Sequence, residues 1–331
     1  MRKKLLDYLV CPNCQGVFQL RIDQQEGEQV ITGELSCGQC QKKYPVTKSV
    51  PRIMASNVAA DKIKTAAAFA YEWQRFNDLD ERYKNQFLDW IFPINVDFFK
   101  GKVVLDAGCG KGRHLYWSSK FGASDVIGID LGESADVAYQ NTKDLPNVHI
   151  VQADIYNLPF RDCFDYIYSI GVLHHLPNPA AGFAALVKHL ELGGTISAWV
   201  YGREGNWWII YLLNPIRKLI TSRLPLVITK FLAFVVSLLL VPLVKIVYRP
   251  LVKYNWLKPV KRILFYSDYF CYISAFSFAE IYSIVFDHLL APTAFYLSRR
   301  EFEQWFIDNN LSNYQIIRHN QNSWKGNGKK I

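Results

Sequence analysis

Two pairs of cysteines are the first residues whose spacing can do chemistry. Cys11 and Cys14 flank Pro12–Asn13, and Cys37 and Cys40 flank Gly38–Gln39. A CxxC turn puts two thiolates on one ion, and two such knuckles supply the four soft ligands that tetrahedral zinc prefers. Between them, Val17–Ile22 and Val30–Ser36 alternate like paired strands. This segment has too little apolar content for a deep core, so the metal must stabilise it directly. A redox dithiol and iron are the alternatives, and two evenly placed pairs argue against the first. Cys109, Cys163 and Cys271 stand apart.

The second constellation is acidic and glycine-rich. Lys102–Asp106 reads as a short buried strand, Ala107–Gly112 as a glycine turn and Arg113–Phe121 as a helix. Val126–Asp130 is a second strand, and Asp130 follows Asp106 by 24 residues. That interval suits an acid at a strand tip holding ribose hydroxyls. Val148–Val151, Phe164–Ile170 and Thr195–Val200 continue the series, with helical segments between. Such alternation predicts a parallel, doubly wound sheet. A dinucleotide domain is the obvious rival. Asp106, however, sits where a pyrophosphate would approach, and a carboxylate repels phosphate. It can engage an ammonium, which S-adenosylmethionine carries.

The stretch Val104–Gly112 resembles motif I of class I S-adenosylmethionine methyltransferases. Gly128–Leu131 resembles the ribose-binding motif, Gln152–Ile155 the adenine-contacting stretch, and Gly171–Leu176 the segment after strand four in UbiE-like and generic bacterial members. The resemblance covers residues 98–200 and resumes near 299–320. It implies that Asp106, Gly108, Cys109 and Gly110 flank the methionine portion and that Asp130 and Leu131 meet ribose. Asp154 and Ile155 would border adenine, and Ile170 and Gly171 would line the cofactor near the methyl group. Cys109 could equally fill a buried slot while its backbone makes the contact. The cysteine segment, with Cys37–Cys40 followed by Tyr44–Pro45–Val46, resembles Trm112-like zinc ribbons over residues 5–55. Such modules resemble scaffolds or activators of methyltransferases.

The expected architecture is α/β: a doubly wound, mostly parallel Rossmann-like methyltransferase sheet with an N-terminal zinc ribbon and a helical insertion after strand five. We divide it as ribbon 1–55, helical linker and cofactor cover 56–97, core 98–200 with 298–331, and insertion 201–297. In the linker, Tyr71 and Arg75 are the candidates for a cover over ligand. Ser298 is the expected N-cap of the helix that resumes the core, followed by a strand at Tyr314–Ile317.

For the acceptor side, His174 and His175 are the candidate proton acceptors or positioning groups, and Tyr201 and Arg203 follow strand five. His174 is equally suited to a backbone hydrogen bond, and Arg203 to solvent. His288 and Tyr296, late in the insertion, are further candidates for the pocket. Methyl transfer needs an in-line nucleophile and, for oxygen or nitrogen acceptors, removal of a proton.

Half the chain is hydrophobic and its formal charge is +9. Between Arg203 and Arg262 eleven Lys and Arg face one acid, Glu204, and Phe231–Val244 runs fourteen residues without charge. Fourteen residues make a helix of about 21 Å, short for a bilayer. The insertion therefore reads as a lid, a homodimer interface, or a helix pair on an anionic membrane surface. These features predict transfer to an O or N atom of a hydrophobic small molecule or lipid-like acceptor. An RNA methyltransferase using the ribbon for positioning, and a non-enzymatic membrane-associated scaffold, are the alternatives. Nucleic acid ranks low as a partner because the basic interval is so aliphatic. The basic start Met1–Lys4 is cut short by Asp7 and the first CxxC, which argues against a signal peptide. It predicts a reducing cytoplasmic setting, with a peripheral position on the inner membrane face as an option.

Overall fold

A computed structural model describes residues 1–54, 58–290 and 294–331. The expected ribbon–linker boundary at 55/56, and Ala291–Pro292 after the His288 segment, lie outside the described residues.

The strands are β1 (Phe18–Glu26), β2 (Gln29–Cys37), β3 (Lys43–Thr47), β4 (Val50–Ile53), β5 (Val103–Ala107), β6 (Asp125–Asp130), β7 (Val148–Ala153), β8 (Phe164–Ile170), β9 (Leu190–Tyr201), β10 (Leu311–His319) and β11 (Ser323–Lys330). They form one eleven-stranded sheet in the order β1-β2-β3-β4-β7-β6-β5-β8-β9-β11-β10. Strands β7, β6, β5, β8 and β9 are parallel, and β11 runs antiparallel between β9 and β10. β5 to β8 are almost continuously buried, as strands covered on both faces must be. The ribbon is not a separate bead. Its last strand joins the edge of the main sheet, with Arg52 opposite Gln152 and Ile53 opposite Ala153 in parallel register.

The helices are α1 (Ala60–Trp73), α2 (Arg82–Trp90), α3 (Arg113–Lys120), α4 (Ser134–Thr142), α5 (Pro179–Lys188), α6 (Asn214–Leu219), α7 (Leu226–Leu243), α8 (Arg249–Lys253), α9 (Lys258–Ile263), α10 (Ser267–Ile273), α11 (Phe278–Leu290) and α12 (Arg299–Asp308). α12 starts on a capping box, with the Ser298 hydroxyl accepting from the Glu301 backbone and the Glu301 carboxylate returning to Ser298. One face of the sheet packs Phe183, Leu186, Phe302 and Phe306 of α5 and α12, continuous with ribbon residues Leu5, Leu9 and Leu35. The opposite face packs Phe87 of α2, Leu115 of α3 and Ala135 and Ala138 of α4.

The elements from α6 to α11 form the helical insertion after β9. The uncharged run that looked too short is part of a longer rod. The helical stretch Leu226–Lys253 has 28 residues, a mean hydropathy of 2.5 over its most apolar window, and only 22% of that window buried. By length and composition it could cross a membrane. Its small residues face inward: Thr229, Ala233 and Ser237 are buried at intervals of four. Its bulky ones face out, Leu239 at 74% exposure and Phe231 at 63%. The small stripe lets α11 approach closely, and the Tyr282 hydroxyl donates to the Lys230 carbonyl.

Candidate active site

The carboxyl ends of β5, β6, β7 and β8 open onto a cavity of about 270 Å³, where open parallel sheets bind ligands. Gly108 and Gly110 end β5 in left-handed conformations, φ +88° and +51°. A Cβ on Gly108 would lie 2.3 Å from Val172 Cγ2, so only glycine lets the two loops close together. Asp130 ends β6. Its carboxylate accepts from the backbone N–H of Gly110 at 3.0 Å and of Gly132 at 2.9 Å. Burial raises its pKa, and these N–H groups hold it down in part. Asp154 ends β7 and forms a buried ion pair with Lys62 of α1.

α1 forms the cover. Lys62, Thr65, Ala66, Phe69, Glu72 and Trp73 line the cavity, at the i, i+3, i+4, i+7 spacing of one helical face. The expected cover residues lie on the neighbouring stripe. Tyr71 packs on Phe286, and Arg75 stacks over the Tyr71 ring.

Of the positions expected to hold cofactor, Gly108, Cys109, Gly110, Asp130, Leu131, Asp154, Ile155, Ile170 and Gly171 border the cavity. Asp106 does not. It lies behind the wall at 1% exposure, with Oδ2 lacking a partner, and burial holds its pKa well above the carboxylate range. Any grip on an ammonium from there runs through intervening atoms. His175 and Tyr201 border the cavity, as do His288 and Tyr296. His174 is fully buried beside it, its ring 4.0 Å from that of Tyr201, and burial drives its pKa well down. The Arg203 expectation needs correction. Its guanidinium pairs with Glu301 at 2.9 Å on the outside of the fold, 55% exposed, because β9 has turned away by then.

Glu72 and Asp287 are cavity-lining acids that motif reading missed. Neither sits in a recognisable pattern; tertiary packing alone brings them to one chamber. Tyr201, Tyr266, Tyr269, Tyr272 and Tyr296 also line that cavity.

In the ribbon, the Sγ atoms of Cys11, Cys14, Cys37 and Cys40 all lie within 4.8 Å of one another. Zinc–sulfur bonds of about 2.3 Å in a tetrahedron place sulfurs about 3.8 Å apart. The Cys11–Cys40 and Cys14–Cys37 separations, 3.6 and 3.4 Å, fit that ion closely. The four thiolates leave no open position, which makes the site structural.

Fold and cavity together define a class I S-adenosylmethionine-dependent methyltransferase domain fused to an N-terminal Trm112-like domain with a structural zinc site. A family model described as a methyltransferase domain matches residues 105–198, and one described as Trm112p-like protein matches residues 2–49. Over 111 residues the chain is 35% identical to a tRNA U34 carboxymethyltransferase of Pseudoalteromonas translucida (strain TAC 125), covering 33% of this chain and 34% of that protein. Over 112 residues it is 33% identical to the protein so named in Vibrio cholerae serotype O1 (strain M66-2), again covering 33% and 34%. Among solved structures, it resembles the complex of the Haloferax volcanii Trm112 methyltransferase activator with a methyltransferase. That match is 21% identical, covers 46% of this chain and 67% of that chain, and has a TM-score of 0.38. The chain spans about a third of the length of the curated relatives it matches.

These relatives overturn the expectations for acceptor and partner. They are named for tRNA, so the hydrophobic or lipid-like acceptor is withdrawn, and with it the membrane surface as partner and the low rank of nucleic acid. They also lend nothing to the UbiE-like likeness. The physical source of the error is visible. The insertion turns much of its aliphatic surface outward, and the residues it adds to the cavity lining mix Tyr266, Tyr269, Tyr272, Asp287 and His288 with Ile209, Ile273, Phe276 and Ile284.

Proposed function

We propose that this chain transfers the methyl group of S-adenosylmethionine, or a carboxylated form of that group, to a tRNA nucleotide in the cytoplasm. The observation that carries the reading is the 35% identity over 111 residues with proteins named for tRNA modification. Two features of the chain agree with it. The formal charge of +9 favours a polyanion. The cavity is concave and its lining includes Tyr201, Tyr266, Tyr269, Tyr272 and Tyr296, which suits a single base turned out of its stack rather than a duplex. Bound S-adenosylmethionine would supply an electrophilic carbon on sulfonium. The chain would supply Asp130 at the ribose, the Lys62–Asp154 pair beside adenine, and a cover that excludes water.

The test is mass spectrometry of nucleosides from bulk tRNA incubated with the zinc-loaded protein and S-adenosylmethionine. One nucleoside should gain mass in a ribonuclease-sensitive fraction, and the size of the gain reads which group is transferred. Saturable S-adenosylmethionine binding with no altered nucleoside in any RNA would remove the RNA reading.

A further inference from the structure

The cavity is also lined by two carboxyl groups with spare hydrogen-bonding capacity. Asp287 of α11 borders the cavity; Oδ2 accepts from the Tyr201 hydroxyl at 3.3 Å, and Oδ1 has no partner. Glu72 of α1 is 1% exposed and also borders the cavity; Oε1 accepts from the Ser283 hydroxyl at 2.5 Å, and Oε2 has no partner. The Trp199 Nε1, of another cavity-lining residue, is buried without a partner too. Buried polar atoms without partners are rare in native proteins and call for an explanation. Three on residues lining one cavity are explained together by a polar guest that brings the missing donors and acceptors. A hydrocarbon guest would leave all three unsatisfied, at about 1–3 kcal/mol each.

We propose that Asp287, steadied by Tyr201, takes the proton from the attacking O–H or N–H of the acceptor, with Glu72 as the hydrogen-bonding companion that orients the acceptor ring. This rests on the functional reading above and names its acceptor-side catalytic residue. In the step, the acceptor lone pair forms a bond to the sulfonium-bound carbon. The carbon–sulfur bond breaks, its electron pair returning to sulfur as a neutral thioether. The acceptor proton passes to Asp287 Oδ1 and then to solvent on product release. Charge balances: one positive centre is discharged as one carboxylate is neutralised.

The surroundings suit the division of labour. Burial raises both acids. Asp287 is pushed up to about 6, with Arg217 of α6, Arg113 of α3 and the Tyr201 hydroxyl holding it from going higher. Glu72 is raised well above the carboxylate range by burial and by the charge of Asp287, against Lys111 and Arg113. His288, pushed down to about 4 by burial and Arg217, is neutral beside them. Tyr269 and Tyr296, both raised by burial, stay neutral as well. At neutral pH one carboxyl accepts and the other donates, as acid–base pairs with divergent environments do.

The test uses the full zinc-loaded chain. Asp287→Asn should keep S-adenosylmethionine affinity within threefold and lower kcat on tRNA by about 100-fold or more. Wild-type kcat should rise through a limb near pH 6 that the variant lacks, and Asp287→Glu should restore part of the rate. An unchanged kcat with the same limb in Asp287→Asn overturns the assignment. A second readout does not depend on the acceptor. Infrared difference spectra of the S-adenosylhomocysteine complex should show a carboxyl titrating near pH 6 in the wild type and missing in Asp287→Asn. Absence of that band overturns the Asp287 proposal by itself, whereas wild-type inactivity on tRNA with the band present removes only the RNA reading.

Discussion

At the scale of single residues, the site depends on charges held by short-range partners. The Asp130 carboxylate is fixed by two backbone N–H groups at the cavity wall. Asp130→Ala should weaken S-adenosylmethionine binding about 10- to 100-fold by calorimetry, the usual worth of hydrogen bonds to a charged group. An affinity equal to wild type would place ribose elsewhere. Lys62 and Asp154 are both buried, and losing one partner strands the other charge. Lys62→Ala should therefore cost about 3 kcal/mol in denaturant unfolding; a loss under about 0.5 kcal/mol, the level of a surface pair, would mean that the pair is solvated. The cofactor side of this site was legible because Val104–Gly112 and Gly128–Leu131 carry it in contiguous runs. The acceptor side was not. Glu72, Tyr201, Asp287 and Tyr296 come from four separate segments, and no local spacing connects them.

At the scale of elements, the ribbon is the edge of the main sheet rather than an appendage. Lys4 also bridges to Asp125 at 2.6 Å, and Leu9 forms a bridge with Phe160. Removing zinc should thus reach beyond the ribbon. Chelation, or Cys37→Ser, should raise amide exchange in β7 at Val148–Ala153 as well as in β1 and β2. Protection of β7 unchanged after metal loss would show the two units to be independent. The five parallel strands were readable from buried apolar runs, but β11 was not. A Cβ on its Gly326 would lie 2.7 Å from the Phe306 ring. The strand is glycine-rich so that α12 can sit close against it. In α1 the cavity-lining face carries Lys62, Phe69, Glu72 and Trp73 rather than Tyr71 and Arg75.

At the scale of the molecule, the insertion turns small residues inward and large apolar ones outward. Leu239 and Ile246 are 74% and 73% exposed, and a contiguous patch of this kind demands cover in solution. The wild type should therefore need detergent to stay monodisperse. Leu239→Ser with Ile246→Ser should lower that requirement in sedimentation runs while leaving S-adenosylmethionine affinity unchanged. An equal detergent requirement would show that the patch is already covered.

The central claim is that the cavity bordered by the expected S-adenosylmethionine positions takes a tRNA nucleotide. A single competition reads it: the zinc-loaded chain, labelled S-adenosylmethionine, bulk tRNA and total lipid extract in one reaction, then phase separation. The account predicts label in the ribonuclease-sensitive aqueous fraction, lost with Asp130→Ala. Label recovered in the organic phase, with tRNA unmarked, would contradict it.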